Sequence, residues 1–308
     1  MDGKIIVQVD VTMKEREIQN DHVTEKCRKT VLITGGAGGI GQELAKLFAR
    51  DGYDLVLVDR NKEELKKARD TLQGINLNMS VYLLAQDLTE PDAAEKVYSY
   101  TCEQCASIDV LVNCAGFGTY GPVNEKDEDK ELDMLQLHVI TLYRMTRLYL
   151  KDMVERNDGR IINLSSISAF QPNPYFATYG ASKSFVLNFS RALNYELKEK
   201  GLDVRVMAVC PTAVKDTGFR TVAGMDHTKT FRSWMSVNAG VVARDTYRAL
   251  ECERDVVIPG RGLGLLHRIA CRLPVSWLMR MSRSELREDG GIRSRETFIC
   301  SCEKGADQ

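Results

Sequence analysis

Val31-Leu32-Ile33-Thr34-Gly35-Gly36-Ala37-Gly38-Gly39-Ile40-Gly41 runs from a short aliphatic stretch, through a glycine-rich turn, into a segment of helical periodicity. The aliphatic residues read as a strand buried on both faces, the kind found in parallel sheets. A turn at this place can bring backbone N–H groups against a pyrophosphate, because glycine leaves the space open. The helix that starts near Ile40 adds the positive end of its dipole. An ordinary tight turn would also use glycines, so the meaning of this one depends on the chain downstream of it.

Downstream of the turn the chain alternates regularly. Strand candidates lie at 30–34, 54–58, 80–84, 109–113, 160–164, 203–209 and 255–258, several of them apolar almost throughout. Helical patterns fill the intervals at 40–51, 61–73, 91–106, 128–156, 176–200 and 240–252. This order predicts an α/β fold, a doubly wound parallel sheet with helices on both faces. The domain is expected over 30–260, with an extension at 1–29, a basic amphipathic helical segment at 261–283 and a disordered polar tail at 284–308. Pro274 should divide the helical segment into two short helices.

Composition narrows the function. The chain has 308 residues, 44% of them hydrophobic, enough for one large domain with its own core. A net charge of -1 gives no long-range attraction to nucleic acid, so no nucleic-acid partner is expected. No apolar run is long enough to span a bilayer, and the start lacks a secretory signal pattern. The nine cysteines are scattered. Cys102-x-x-Cys105 has no second ligand pair at zinc spacing, so no metal is expected, and the thiols read as reduced in a cytoplasmic protein.

The carboxyl ends of the strand candidates carry polar residues. Asp59 ends the second, placed to accept from the adenosine ribose hydroxyls, and Arg60 follows it. Asp87-Leu88 closes the third, where an adenine would lie, and Asn113-Cys114-Ala115-Gly116 closes the fourth beside the reversal of strand order. Singly, each also reads as a helix cap or turn residue. Together they mark the ligand-binding edge of such a sheet.

Tyr179-Gly180-Ala181-Ser182-Lys183 opens a long helical pattern, which puts Tyr179 and Lys183 on one face a turn apart. With 11 tyrosines in the chain such a pair arises by chance, but Ser166 stands just upstream at the end of an apolar strand. A free phenol ionises near pH 10, so a neighbouring ammonium and a positive nicotinamide ring would favour the phenolate. Ser166 would then orient a substrate oxygen.

Thr34-Gly35-x-x-x-Gly39-Ile40-Gly41, Asn113-x-Ala115-Gly116, Ser166, Tyr179-x-x-x-Lys183 and Pro211 together resemble the short-chain dehydrogenase/reductase family in order and spacing across 30–260. The resemblance implies a single Rossmann-type domain with a seven-stranded sheet. It implies hydride transfer between NAD (or NADP) and a secondary alcohol/ketone pair, with Ser166, Tyr179 and Lys183 as catalytic residues. The cofactor residues implied are Gly35, Gly39, Ile40, Gly41, Asp59, Arg60, Asp87, Leu88, Asn113, Ala115, Gly116, Tyr179, Lys183 and Pro211. Lys183 would hold the nicotinamide ribose as well as lower the Tyr179 pKa. Residues 210–218 resemble the nicotinamide-side loop, leading to a substrate lid at about 216–238, and a homodimer or homotetramer through 128–156 and 176–200 is implied. The segment Asn113–Pro122 and the ending Val257-Ile258-Pro259-Gly260 are similar to a bacterial branch with some members acting on steroid or acyl ketones.

Two positions depart from the family. His138 stands where relatives carry an Asn that helps hold a relay water, and Thr212 replaces a glycine after Pro211. His138 reads either as part of a relay or as a buried histidine. Phe117, Tyr120, Phe170, Phe176 and Phe219 suggest an apolar pocket. The apolar face of 261–283, rich in arginine, is expected to cover the cleft or a subunit seam, in preference to an interfacial membrane hairpin. The competing function is a catalytically silent NAD(H)-binding sensor or scaffold.

Overall fold

The computed structural model describes residues 28–104, 107–270 and 272–286; Cys105, Cys300, Cys302, residues 1–27 of the expected 1–29 extension and residues 287–308 of the expected tail lie outside them. Seven parallel strands form one sheet: β1 (Thr30–Thr34), β2 (Asp54–Asp59), β3 (Val81–Ala85), β4 (Val110–Asn113), β5 (Gly159–Leu164), β6 (Val204–Val209) and β7 (Val256–Val257). Their order is β3-β2-β1-β4-β5-β6-β7. The order reverses between β1 and β4, which opens a crevice at their carboxyl ends.

The helices are α1 (Gly39–Arg50), α2 (Lys62–Gln73), α3 (Ala93–Gln104), α4 (Glu128–Leu135), α5 (Leu142–Glu155), α6 (Ala177–Glu199), α7 (Phe219–Val222), α8 (Ala239–Glu251), α9 (Leu263–Ala270) and α10 (Val275–Leu286). Local chemistry sets several boundaries. Asn61 caps α2 by accepting from Glu63 N and Glu64 N, each at 3.1 Å. Asp216 closes the start of α8 by accepting from Ala239 N at 2.7 Å.

Two apolar layers sandwich the sheet. Ile33, Leu55 and Leu57 pack with Leu44, Phe48 and Leu65 on one face; Leu32, Val56 and Leu111 pack with Val97, Met145 and Met153 on the other. Deleting such a buried side chain, Leu32→Ala for example, typically costs about 2–5 kcal/mol. This rigid double layer fixes where each loop at the carboxyl edge begins.

The fold refines one expectation and corrects another. The helical pattern at 128–156 holds through Glu155, but Gln136–Thr141 within it is a π-helical turn that joins α4 to α5. A periodicity reading sees the apolar face but not a turn widened by one residue. The tail boundary also moves. α10 runs through Leu286, which is buried, because its side chain joins an apolar cluster with Met134, Phe176 and Phe231.

Candidate active site

The turn after β1 is held by packing that only glycine permits at two places. Gly35 has φ of +65°, and a Cβ there would lie 3.0 Å from the Ala115 Cα. At Gly41 a Cβ would stand 2.2 Å from the Gly35 carbonyl oxygen, so α1 can begin close against the turn. Gly38 has open space instead, with nothing within 4 Å of a Cβ. Thr34 links this turn to the end of β4: its Oγ1 accepts from Cys114 N at 2.9 Å and Ala115 N at 3.1 Å. The result is an open, glycine-walled cradle at a helix N-terminus, a fit for a dinucleotide pyrophosphate.

Asp59 ends β2 beside that cradle. Its carboxylate accepts from Ala37 N at 3.4 Å and Asn61 N at 3.1 Å. Arg60 is exposed. Asp87 Oδ1 accepts from Thr89 N at 2.9 Å and the Thr89 hydroxyl at 2.8 Å, which shapes the loop after β3. Leu88 is buried, and its carbonyl accepts from Thr141 Oγ1 at 2.8 Å. Gly39, Ile40, Ala115 and Gly116 line the same edge, at the start of α1 and the end of β4. Pro211 lies after β6, its carbonyl accepting from Ile167 N at 2.9 Å.

Asn113 ends β4 with its side chain turned into a buried polar chain. It sits opposite Asn163 in the β4–β5 register, and its Nδ2 donates to Asn163 Oδ1 at 2.8 Å. Asn163 in turn donates to Ser190 Oγ at 2.9 Å. Asn113 therefore joins two strands and α6 through a buried polar chain. Asn163 and Ser190 carry no motif of their own, so nothing in the sequence signals their part.

Ser166, Tyr179 and Lys183 are brought together at the carboxyl end of β5. Ser166 caps a short 3-10 turn, its Oγ accepting from Ser168 N at 3.1 Å, and its side chain acts to lower the Tyr179 pKa. Tyr179 stands in the first turn of α6. Just before that helix Tyr175 takes a left-handed φ of 65°, a strained value for a tyrosine, and the bend delivers Phe176 to the site. The Phe176 ring stacks on Tyr179 at 4.2 Å, and Phe219 of α7 meets Tyr179 edge-on at 5.5 Å.

Burial dominates the titration of this group. It pushes the Tyr179 phenol up to about 12, despite the opposing effect of Ser166. Lys183 is also buried, and its amine is lowered to about 8 for the same reason. Among the protein's own groups desolvation sets the Tyr179 value; the Lys183 ammonium, expected to favour the phenolate together with a positive nicotinamide ring, donates to the Leu164 carbonyl.

His138 lies in the π-helical turn and is 1% exposed. Its Nδ1 is 3.0 Å from Ser182 Oγ, and that hydroxyl donates to the Tyr179 carbonyl at 2.8 Å. A serine hydroxyl has one proton, so His138 must donate from Nδ1, leaving Nε2 as an acceptor. Nε2 is buried with no hydrogen-bond partner in the protein. A methyl placed on Gly116 would be 2.8 Å from Nε2 and 3.5 Å from Lys183 Nζ, so both nitrogens face the same spot.

An apolar wall closes the site. Met134, Phe176, Tyr179, Met225, Phe231 and Leu286 form one cluster, with Phe117, Tyr120 and Phe219 against it. Phe170 does not belong to it; that ring packs on His267 at 4.3 Å and beside Ala169 and Leu187. The segment 215–236 is stitched at its base by the Val214–Val237 bridge, and Thr212 Oγ1 donates to the Met235 carbonyl at 2.6 Å. Among the described residues, no cluster of three or more His, Cys, Asp or Glu side chains is placed to hold a metal ion.

The model for the short chain dehydrogenase family matches residues 29–227. The chain belongs to that family. A short chain dehydrogenase of Pseudocercospora fijiensis is 32% identical over 176 residues, 56% of each protein. The very-long-chain 3-oxoacyl-CoA reductase of Rattus norvegicus is 33% identical over 178 residues, again 56% of each. The matched stretch thus spans little more than half of either relative. Among solved structures, a short-chain dehydrogenase from Sphingobium yanoikuyae in complex with NADPH is 28% identical, with a TM-score of 0.70 over 86% of this chain and 99% of that one. This short-chain dehydrogenase carries Ser166 just after β5, with Tyr179 and Lys183 in the first turns of α6.

Proposed function

We propose that this short-chain dehydrogenase reduces or oxidises a ketone/secondary alcohol pair on an apolar substrate, with NAD(H) preferred and NADP(H) as the alternative cofactor. The observation that carries this reading is Tyr179 buried in an apolar cluster, with Lys183 one turn along α6 and Ser166 at the end of β5 acting on the phenol. The glycine cradle, Asp59 and the β1/β4 crevice would hold the dinucleotide. When bound, its nicotinamide ring supplies or accepts the hydride.

The protein's own residues handle the proton and the geometry. In the reducing direction, the Tyr179 phenol gives its proton to the substrate carbonyl oxygen; in the oxidising direction, the phenolate takes it back. Because Ser166 Oγ already accepts from Ser168 N, its own O–H is free to turn toward that oxygen. Lys183 would hold ribose hydroxyls once its ammonium leaves the Leu164 carbonyl. His138 Nε2 would accept from a water next to Lys183. Phe117, Phe176 and Phe219 exclude bulk water and favour an apolar acyl or steroid-like substrate, in keeping with the acyl-CoA reductase among the relatives.

Exposed Phe185 and Tyr195 on α6, with Phe189 stacked on Phe185 at 5.6 Å, give an aromatic face suited to homo-oligomer formation.

The test is turnover of the full chain with NADH and with NADPH against steroid ketones, 3-oxoacyl thioesters and simple secondary ketones. Tyr179→Phe should lower turnover at least ~100-fold while dinucleotide affinity stays within a few fold. Dinucleotide binding without any turnover would instead favour a sensor or scaffold. Retention of more than about a tenth of the activity by Tyr179→Phe would remove that residue from the chemistry.

A further inference from the structure

We propose that the C-terminal helical hairpin, α9 and α10, is a docking surface for anionic phospholipid membranes. The hairpin is fixed to the rest of the protein along its inner side. Leu263 and Leu286 are buried. Ser282 Oγ donates to Asn173 Oδ1 at 3.1 Å, Thr230 Oγ1 to the Glu285 carbonyl at 2.9 Å, and Tyr120 OH to the Leu286 carbonyl at 2.7 Å. These contacts anchor the end of α10 against the rim of the active site.

The outer side is a different surface. Leu265 and Ile269, four residues apart on α9, are 66% and 57% exposed. Trp277 and Met281, four apart on α10, are 60% and 54% exposed. That spacing puts each pair on one helix face. Val275 and Leu273, between the two helices in sequence, are exposed as well. A patch of this kind with a polar rim marks a site of contact with something else.

The charge pattern selects a lipid. Arg261, Arg272, Arg280 and Arg283 are exposed around the apolar residues, and no Asp or Glu occurs between 261 and 283. The whole chain carries a net charge of only -1, so this positive surface is a local concentration. Tryptophan and aliphatic side chains with a ring of arginines match the acyl boundary and the anionic headgroups of a membrane surface. A second copy of the chain fits less well, since a two-fold contact would set the arginines against themselves. The helices have 8 and 12 residues, and no helix among the described residues is long and apolar enough to cross a membrane. The hairpin would therefore lie on the bilayer.

Leu286 shares a cluster with Tyr179 and Phe176, so docking would set the substrate mouth beside the lipid. Passage of an apolar substrate directly from the bilayer rests on the proposed function; the docking itself does not.

The experiment is sedimentation of the full chain with phosphatidylcholine vesicles and with vesicles that also contain phosphatidylserine. Binding to the anionic vesicles should be at least about tenfold tighter, and high salt should weaken it. The double variant Ile269→Glu, Trp277→Glu should lose binding by a similar factor with unchanged circular dichroism, while Leu77→Glu, at a site far along the sequence and 87% exposed, should bind as the parent does. Trp234→Phe leaves Trp277 as the sole tryptophan, because the chain has two, and its emission should shift to the blue on adding anionic vesicles. An unshifted emission, equal binding by the double variant, or no binding to either vesicle overturns the proposal. So does a double variant that turns a dimer into a monomer on gel filtration, which would show that a second copy covers this face.

Discussion

The Lys183 ammonium donates to the Leu164 carbonyl oxygen at 2.9 Å while its nitrogen lies 5.7 Å from the centre of the Tyr179 ring. The lysine that should serve the tyrosine is thus held by the end of β5. Its amine is buried at a cost, since its pKa falls from 10.5 to about 8. A shift of that size corresponds to roughly 3 kcal/mol of folding free energy at neutral pH.

Lys183→Met should therefore abolish turnover yet stabilise the protein at pH 7 when no dinucleotide is added. The sign follows from proton uptake: as pH falls, the unfolded chain binds this proton near 10.5 and the folded chain only near 8. The penalty is complete below pH 8 and absent above 10.5. Loss of the Leu164 bond offsets about 1 kcal/mol, leaving a net gain of about 2. Unfolding curves at pH 7 and pH 10.5 check this; a variant less stable than the parent at pH 7 contradicts it.

His138 supplies a second pH signature. Burial and the nearby Lys183 hold its imidazole well below the ordinary 6.5, so it stays neutral through the physiological range. The unfolded chain gains a proton near 6.5 that the folded chain refuses, so stability falls as pH drops below that value. His138→Leu should flatten this loss between pH 7 and pH 5. It should also lower kcat by roughly tenfold or more if Nε2 accepts from a relay water. Thermal unfolding at both pH values, with kcat measured beside it, reads the two effects separately. Unchanged kcat would leave His138 as a buried structural residue.

Asp59 is expected to select NAD over NADP. Its carboxylate is held at the end of β2 by Ala37 N and Asn61 N, which keeps a negative charge where a 2′-phosphate would have to sit. Arg60 opposes this, and it is exposed to solvent. Asp59→Ala should move the ratio of kcat/KM for the two cofactors toward NADP by about tenfold or more. A parent enzyme that prefers NADP would show that Arg60 prevails over Asp59.

Much of this protein follows from local pattern. The apolar runs around Ile33, Leu57 and Val112 and the helical periodicities between them sufficed for a parallel sheet, because strands buried on both faces leave an unmistakable hydrophobic record. The glycines at 35 and 41 marked the turn for the same kind of reason, since close backbone approach excludes a Cβ, and Gly39 does so by its φ of +54°. The family motifs placed Ser166, Tyr179 and Lys183 at the correct ends of their elements.

Only tertiary structure decided how those residues behave. Whether Lys183 serves Tyr179 or rests on Leu164 depends on distances between β5 and α6, and whether Tyr179 is easy or hard to ionise depends on how fully Phe176 and Phe219 cover it. The π-helical turn that aims His138 at Gly116 leaves no mark in hydrophobic periodicity. Asn113 has the look of a ligand until the register sets Asn163 opposite it. Likewise the face of α9 and α10 carries the same sequence whether covered or bare; packing of Leu286 alone into the site left Trp277 and its neighbours in the open. Burial is a property of the assembled chain, and the energies that tune this site are mostly energies of burial.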